Sequence, residues 1–159
     1  MKIKMEVDDN FEDDEIIIRC RSLTEDILLL QKKIADTVNT KMQLNVYKGT
    51  TLYYLSLDEI LFLETQENIV MVHTCNSIYE SKQRLYELEE LLPRNFMRVA
   101  KSTILNTNSI RAIHKNITGA SEVELSNTNK IVYVSRNYVK ALINVLDEKR
   151  LKKWKKISQ

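Results

Sequence analysis

From Gln43 onward, apolar and polar positions alternate in short runs along most of the chain. QLNVYK (43–48), SIRAIHK (109–115), SEVELS (121–126) and NKIVYVS (129–135) each place apolar residues at every second position, the period of a half-buried strand. Between them lie TTLYYLS (50–56), a strand over 60–65, IVMVHT (69–74), SIYES (77–81) and FMRV (96–99), set off by Lys48–Gly49, Asp58–Glu59, Gln66–Glu67–Asn68 and Cys75–Asn76 as turns. Two segments carry the helical period instead. Ser81–Leu92 places Leu85, Leu88, Leu91 and Leu92 on one face before Pro93 stops it, and a helix from about Arg136 uses Val139, Leu142, Ile143 and Leu146. Many short strands and few helices predict a mainly β domain over 42–159 with a C-terminal helix.

Residues 1–41 read differently. Ile3, Met5 and Val7 alternate in MKIKMEV, and EIIIRC (15–20) has the texture of a second strand. SLTEDILLLQKKIADTVN then opens on Ser22 with Glu25 three residues later, a capping box, and continues with Ile27, Leu30, Ile34 and Val38 at helical spacing. The expectation is a strand–strand–helix extension, with Asn39–Lys41 as the domain boundary.

Composition excludes several classes. The longest apolar runs, such as IVMVH at 69–73, are far too short to span a bilayer, and MKIKMEVDDN lacks the apolar core of a signal peptide. The two cysteines, Cys20 and Cys75, form no CxxC pattern, so reduced thiols in a cytoplasmic protein are expected. No HExxH, GxSxG, P-loop or GxGxxG occurs. His73 and His114 fall in strands, where His73 reads as a half-buried structural residue. No enzyme activity, cofactor or metal site is expected. The acidic cluster at 8–15 superficially resembles a phosphoacceptor pocket, but about 40 residues are too few for a receiver domain.

Charge changes the picture more. Residues 1–93 hold 10 Lys/Arg against 18 Asp/Glu, net −8, whereas 94–159 hold 14 against 4, net +10. A basic half of that size suits a polyanion. Six of its cations lie in KRLKKWKK (149–156), which reads equally as a solvated helix end.

The candidate chemistry lies in FMRVAKSTILN (96–106). Phe96 and Arg98 should face one way and Met97 and Val99 the other, so strand alternation alone does not separate polar from apolar. A bend near Ala100–Ser102 would free Lys101 and Ser102 to face outward. Arg136, where the last strand turns into the last helix, and the loop Gln66–Glu67–Asn68 are two further polar turns. If the three converge, Lys and Arg can contact phosphates or guanine, and Asn can pair with adenine. Other roles compete: Arg98 pairing with a carboxylate, Asn106 capping a turn, and Ser102 bonding its own backbone.

At these residues the sequence resembles the LytTR family of bacterial DNA-binding domains. The matching motifs are ILFLETQENIVMVHT (60–74), LYELEELLPRNFMRVAKSTILNTNSIRAI (85–113) and VYVSRNYVKAL (132–142), in order over Gln43–Leu146. The resemblance implies an elongated, mostly antiparallel β fold that lays inter-strand loops into successive major grooves, in a stand-alone transcription regulator without a receiver domain. It implies Asn68 in the Glu67–Asn68 loop, Lys101 and Arg136 as base readers, and Arg98, Ser102 and Asn137 as phosphate or framework contacts. It implies as partners double-stranded promoter DNA with direct repeats, a homodimer on that DNA and a membrane-bound inhibitor encoded nearby, with 1–41 as the docking or dimerisation surface. The chain departs from the family at Ala100, where histidine is frequent, at the acidic Glu67, and at Asn127–Thr128–Asn129, which lacks the usual glycine. Two other functions stay open: a protein-interaction module of the same fold with little DNA affinity, and RNA binding, which no stacking-aromatic motif supports.

Overall fold

The computed structural model describes residues 4–8, 15–39 and 42–158. The chain folds as two compact units, Met1–Thr40 and Lys41–Gln159.

In the first unit the helix forms as α1, Glu25–Asn39. Ile27, Leu30 and Ile34 are its half-buried positions, as the spacing requires. Its N-terminal acceptor is Thr24, whose Oγ1 receives the Ile27 N–H at 3.4 Å and whose carbonyl receives the Leu28 N–H at 3.0 Å, rather than the expected Ser22. Of the two expected strands, the described residues 4–8 and 15–20 carry no strand pairing; the first three residues of the first strand lie outside those described. The physical reason is that an isolated two-stranded ribbon has no third strand or packed face to hold it. Ile16, Ile17 and Ile18 are accordingly exposed.

The second unit is β-rich and antiparallel throughout. In chain order its elements are β1 (Gln43–Lys48), β2 (Thr51–Ser56), β3 (Phe62–Gln66), β4 (Ile69–His73), β5 (Ile78–Ser81), α2 (Leu85–Leu91), β6 (Phe96–Ala100), β7 (Thr103–Asn106), β8 (Ile110–His114), β9 (Ser121–Leu125), β10 (Ile131–Val134) and α3 (Arg136–Ile157). Seven strands form one sheet in the order β2-β1-β5-β4-β3-β7-β6, and three form a second in the order β10-β9-β8. Turn chemistry fits the hairpins: Gly49 takes φ 61° between β1 and β2, and Asn127, at φ 63°, supplies the left-handed residue in the turn that lacks glycine. The second helix starts at Leu85, not Ser81, because Ser81 completes β5 against Val70 and its hydroxyl accepts the Gln83 N–H at 3.2 Å.

Around β3 and β7 the larger sheet is buried on both faces, which is why ILFL and TILN read as nearly continuous apolar runs, whereas β1, β2 and β5 keep exposed positions. Leu63, Val70, Val72 and Ile104 join Leu85 and Leu88 of α2 in one core. Phe62 and Leu105 point to the other face, where Val123, Leu125, Val132 and Val134 of the small sheet and Leu142 of α3 close a second core. All four residues of β7 are buried. Asn106 is the polar end of that strand and acts as the expected cap: its side chain accepts the Asn108 N–H at 3.1 Å and donates to the Ile60 carbonyl at 2.9 Å. β7 is therefore a fixed rail between two cores, and what lies at its open end is held by both.

Candidate nucleic-acid interface

The end of β7 opposite Asn106 carries the polar turns. β6 enters it through a bulge. Met97 pairs with Leu105 and Arg98 with Ile104, but Ala100 then pairs with Thr103, leaving Val99 as the extra residue. Alternation is strict up to that point: Phe96 and Arg98 face α2, while Met97 and Val99 face the second core. The bulge then lets the chain turn at Lys101–Ser102 with both residues exposed.

This turn is fixed by its backbone, not by its own side chains. Arg98 donates from its Nη1 to the Lys101 carbonyl at 2.6 Å and from its Nε to Glu89 Oε2 of α2 at 2.5 Å. The Ser102 carbonyl accepts the Thr65 N–H of β3 at 2.9 Å. With both carbonyls engaged, the Lys101 ammonium and the Ser102 hydroxyl have no partner among the described residues. The carboxylate partner that competed for Arg98 is thus present, and the self-bonding role for Ser102 is not observed.

The Thr65 bond also brings in the second turn. β3 runs antiparallel to both β4 and β7, so its C-terminal end abuts the start of both. There Glu67 (φ 47°) and Asn68 (φ 69°) form a two-residue hairpin turn with consecutive left-handed residues, the type I′ pattern. Asn tolerates that region better than Glu, so geometry as well as charge makes Asn68 the favoured polar tip. Arg84, just before α2, donates to the Asn68 carbonyl at 3.4 Å. Sequence reasoning missed this support; a cation directly ahead of the Leu85 stripe was its only trace.

The third turn arrives through the bulge. The Val99 carbonyl accepts the Ser135 N–H at 2.8 Å, which seats the start of α3 beside β6. Ser135 is the N-cap residue without a side-chain capping bond, and Arg136 and Asn137 follow it, both exposed. The open helix N-terminus adds partial positive charge where these side chains stand. Asn68, Lys101, Ser102, Arg136 and Asn137 thus share one end of the unit, while Arg98 sits behind them as a brace.

At the other end of β3, where Phe62 pairs with His73 and with Leu105, His73 stacks on Phe62 with ring centroids 4.0 Å apart, and its Nε2 lies 2.9 Å from Glu64 Oε1. The same oxygen accepts from Gln66 Nε2 at 2.6 Å, one residue before the Glu67–Asn68 turn. His73 is buried, more deeply than the half-buried position expected, and its Nδ1 has no partner. Burial pushes its pKa below 6.5, opposed by Glu64 and reinforced by Lys130. Lys130 is itself lowered by burial and donates to the Thr74 carbonyl at 2.8 Å. In the basic run 149–156, Lys149 is also lowered by burial; it binds Thr107 Oγ1 and Asn108 Oδ1 and belongs to the fold. Among the described residues no His/Cys/Asp/Glu group could hold a metal, and no helix is long and apolar enough to cross a membrane.

Comparison with known proteins agrees with this architecture. The LytTr DNA-binding domain family matches residues 50–147. An uncharacterised HTH-type transcriptional regulator of Staphylococcus aureus strain NCTC 8325 / PS 47 is 24% identical over 142 residues, covering 89% of this chain and 95% of the relative. Another from strain MSSA476 is 28% identical over 96 residues, covering 60% of this chain and 65% of the relative. The solved LytTr DNA-binding domain of a methyl-accepting/DNA response regulator from Bacillus cereus has the same fold, with a TM-score of 0.61 at 24% identity over 67% of this chain and 97% of that one. Although the relatives are named for a helix-turn-helix, no two helices are consecutive elements among the described residues here. The match over residues 50–147, more than half of the chain, shows that this protein belongs to the LytTR family of DNA-binding transcription regulators.

Proposed function

We propose that residues 42–159 form a sequence-specific DNA-binding domain that reads major-groove bases with inter-strand turns rather than with a recognition helix. One observation carries this reading: the Thr65–Ser102 and Val99–Ser135 backbone bonds gather three exposed polar turns, whose Lys101, Ser102 and Arg136 side chains have no partner among the described residues. Asn68, Lys101 and Arg136 are the base readers. Ser102 and Asn137 contact phosphate, and Arg98 holds the Lys101 turn. The DNA is a promoter with direct repeats, occupied by two copies, and the regulator works in the cytoplasm.

Residues 1–41 are proposed as the docking surface for a membrane-bound inhibitor. Met5, Val7, Ile16, Ile17, Leu28 and Leu29 support this, being exposed apolar residues in an otherwise acidic segment.

Fluorescence anisotropy with DNA from upstream of the protein's own gene tests the assignment. Lys101→Ala or Arg136→Ala each weakens specific binding by about 1–3 kcal/mol while the fold is retained. Unchanged affinity in both variants would refute the site. If the chain is instead an interaction module, it shows no duplex enrichment at modest salt.

A further inference from the structure

The sheet edges are not alike. β6, one end of the seven-stranded sheet, is bulged at Val99, whose carbonyl is already bonded to Ser135. In the small sheet, β8 is bulged and carries Arg111, and β10 is four residues long with its end tied to β6 through Ser135. β2 has none of these protections. Thr51–Ser56 reads TLYYLS, with no charge, no proline and no register shift against β1. The outer N–H and C=O groups of Leu52 and Tyr54 have no partner among the described residues, whereas the Ser56 N–H at the strand's end is taken by Glu59 Oε2 at 3.0 Å; Leu52, Tyr53 and Tyr54 are 38%, 38% and 62% exposed. Edges of this kind pair with another strand unless charge or a bulge prevents it.

We infer that β2 pairs antiparallel with β2 of a second copy of this chain, about a twofold axis at Tyr53, so that Tyr53 faces a second Tyr53 and the outward backbone groups of Leu52 meet those of a second Tyr54. The strand is its own complement. Around such an axis only Thr, Leu, Tyr and Ser meet, so no like charges face each other. Its flanks are complementary too. The antiparallel arrangement sets the exposed Lys48 end of one copy beside the exposed Asp58–Glu59 end of the other. A second Tyr53 also covers the open end of the first core, where Tyr53 meets Tyr79 edge-on at 5.1 Å. One six-residue strand per copy makes an interface at the small end of specific contacts, below roughly 1,200 Å², so the pair is reversible and concentration-dependent. A twofold pair cannot place both copies alike on direct repeats, so this is the state of the protein off DNA.

Sedimentation velocity of the full chain over a concentration series tests the inference. Wild type and Tyr54→Phe show the same monomer–dimer equilibrium. Tyr54→Lys puts two cations near the axis and raises the dissociation constant at least about tenfold, the equivalent of 1.4 kcal/mol, with an unchanged melting temperature. A wild type that stays monomeric at every attainable concentration overturns the pairing, as does a dimer that Tyr54→Lys leaves intact. Affinity of Tyr54→Lys for a single half-site separates the two proposals: it stays at the wild-type value if the reading turns are assigned correctly, whatever becomes of the dimer.

Discussion

Arg98 is bonded at once to Glu89 of α2 and to the backbone carbonyl of Lys101, at 2.5 Å and 2.6 Å. The residue that sets the position of the Lys101 turn is therefore tied to a helix packed on the opposite side of the strand from the second core. Its charge is already used inside the protein. Arg98→Ala removes both bonds and leaves the Lys101 carbonyl to water, so stability falls by about 1–2 kcal/mol. Glu89→Gln keeps the bond to Lys101 and loses only an ion pair that is partly exposed, so it costs below about 1 kcal/mol. Chemical denaturation of the two variants gives that order, and DNA affinity follows it, because a less well-held turn must be ordered on binding.

Asn68 separates shape from contact. Its φ of 69° suits glycine and strains alanine. Asn68→Gly leaves stability unchanged, whereas Asn68→Ala lowers it by about 1 kcal/mol, the penalty for an ordinary side chain in the left-handed region. Both remove the side chain proposed to contact a base, so on that proposal both weaken specific DNA binding equally. Thermal melts and half-site titrations on the two variants check this pair of outcomes.

His73 makes stability depend on pH. Its pKa is lowered in the folded protein by burial and by Lys130, with Glu64 opposing. The unfolded chain takes up the proton more readily, so stability is full above about pH 6.5 and falls as pH drops from there toward the folded value. His73→Phe keeps the stack on Phe62 and abolishes that slope. Denaturant midpoints between about pH 5 and 8 measure it.

Lys149 and its neighbours in the basic run differ in the same way as Arg98 and Lys101. Lys149→Ala removes the bonds to the exposed Asn108 and to the buried Thr107 hydroxyl, which keeps its own bond to the Asn95 carbonyl, and costs about 1 kcal/mol of stability. Lys152→Ala and Lys153→Ala, on the exposed helix end, leave the melting temperature unchanged.

Much of the second unit was legible because its strands alternate and its helices are amphipathic: β1, β8, β9, β10 and the stripe of α3 all fall where the pattern puts them. The failures have local causes. EIIIRC has strand composition, but strand formation needs a partner, and no periodicity reports the lack of one. Ser81 looked helical because its apolar neighbours fit a helix face, while its pairing with Val70 is a long-range fact. The Val99 bulge was foreseen only as a bend near Ala100. Its consequence, a carbonyl freed to seat Ser135, joins two segments far apart in the chain and leaves no trace in either. The exposed residues Asn68, Lys101 and Arg136 could be named from the sequence; the backbone bonds that gather them could not.

The central claim is that Lys101 and Arg136 read bases from two turns at one end of the domain. Its most direct measurement is a cycle crossing Lys101→Ala and Arg136→Ala with single base-pair changes through the footprinted operator. Each variant should lose discrimination of about 1–3 kcal/mol at its own base position only, with the two positions falling in successive major grooves about one helical turn apart. A uniform loss at every position, with a salt slope reduced by about 0.9 for each phosphate contact removed, would show both residues to be phosphate contacts and contradict the account.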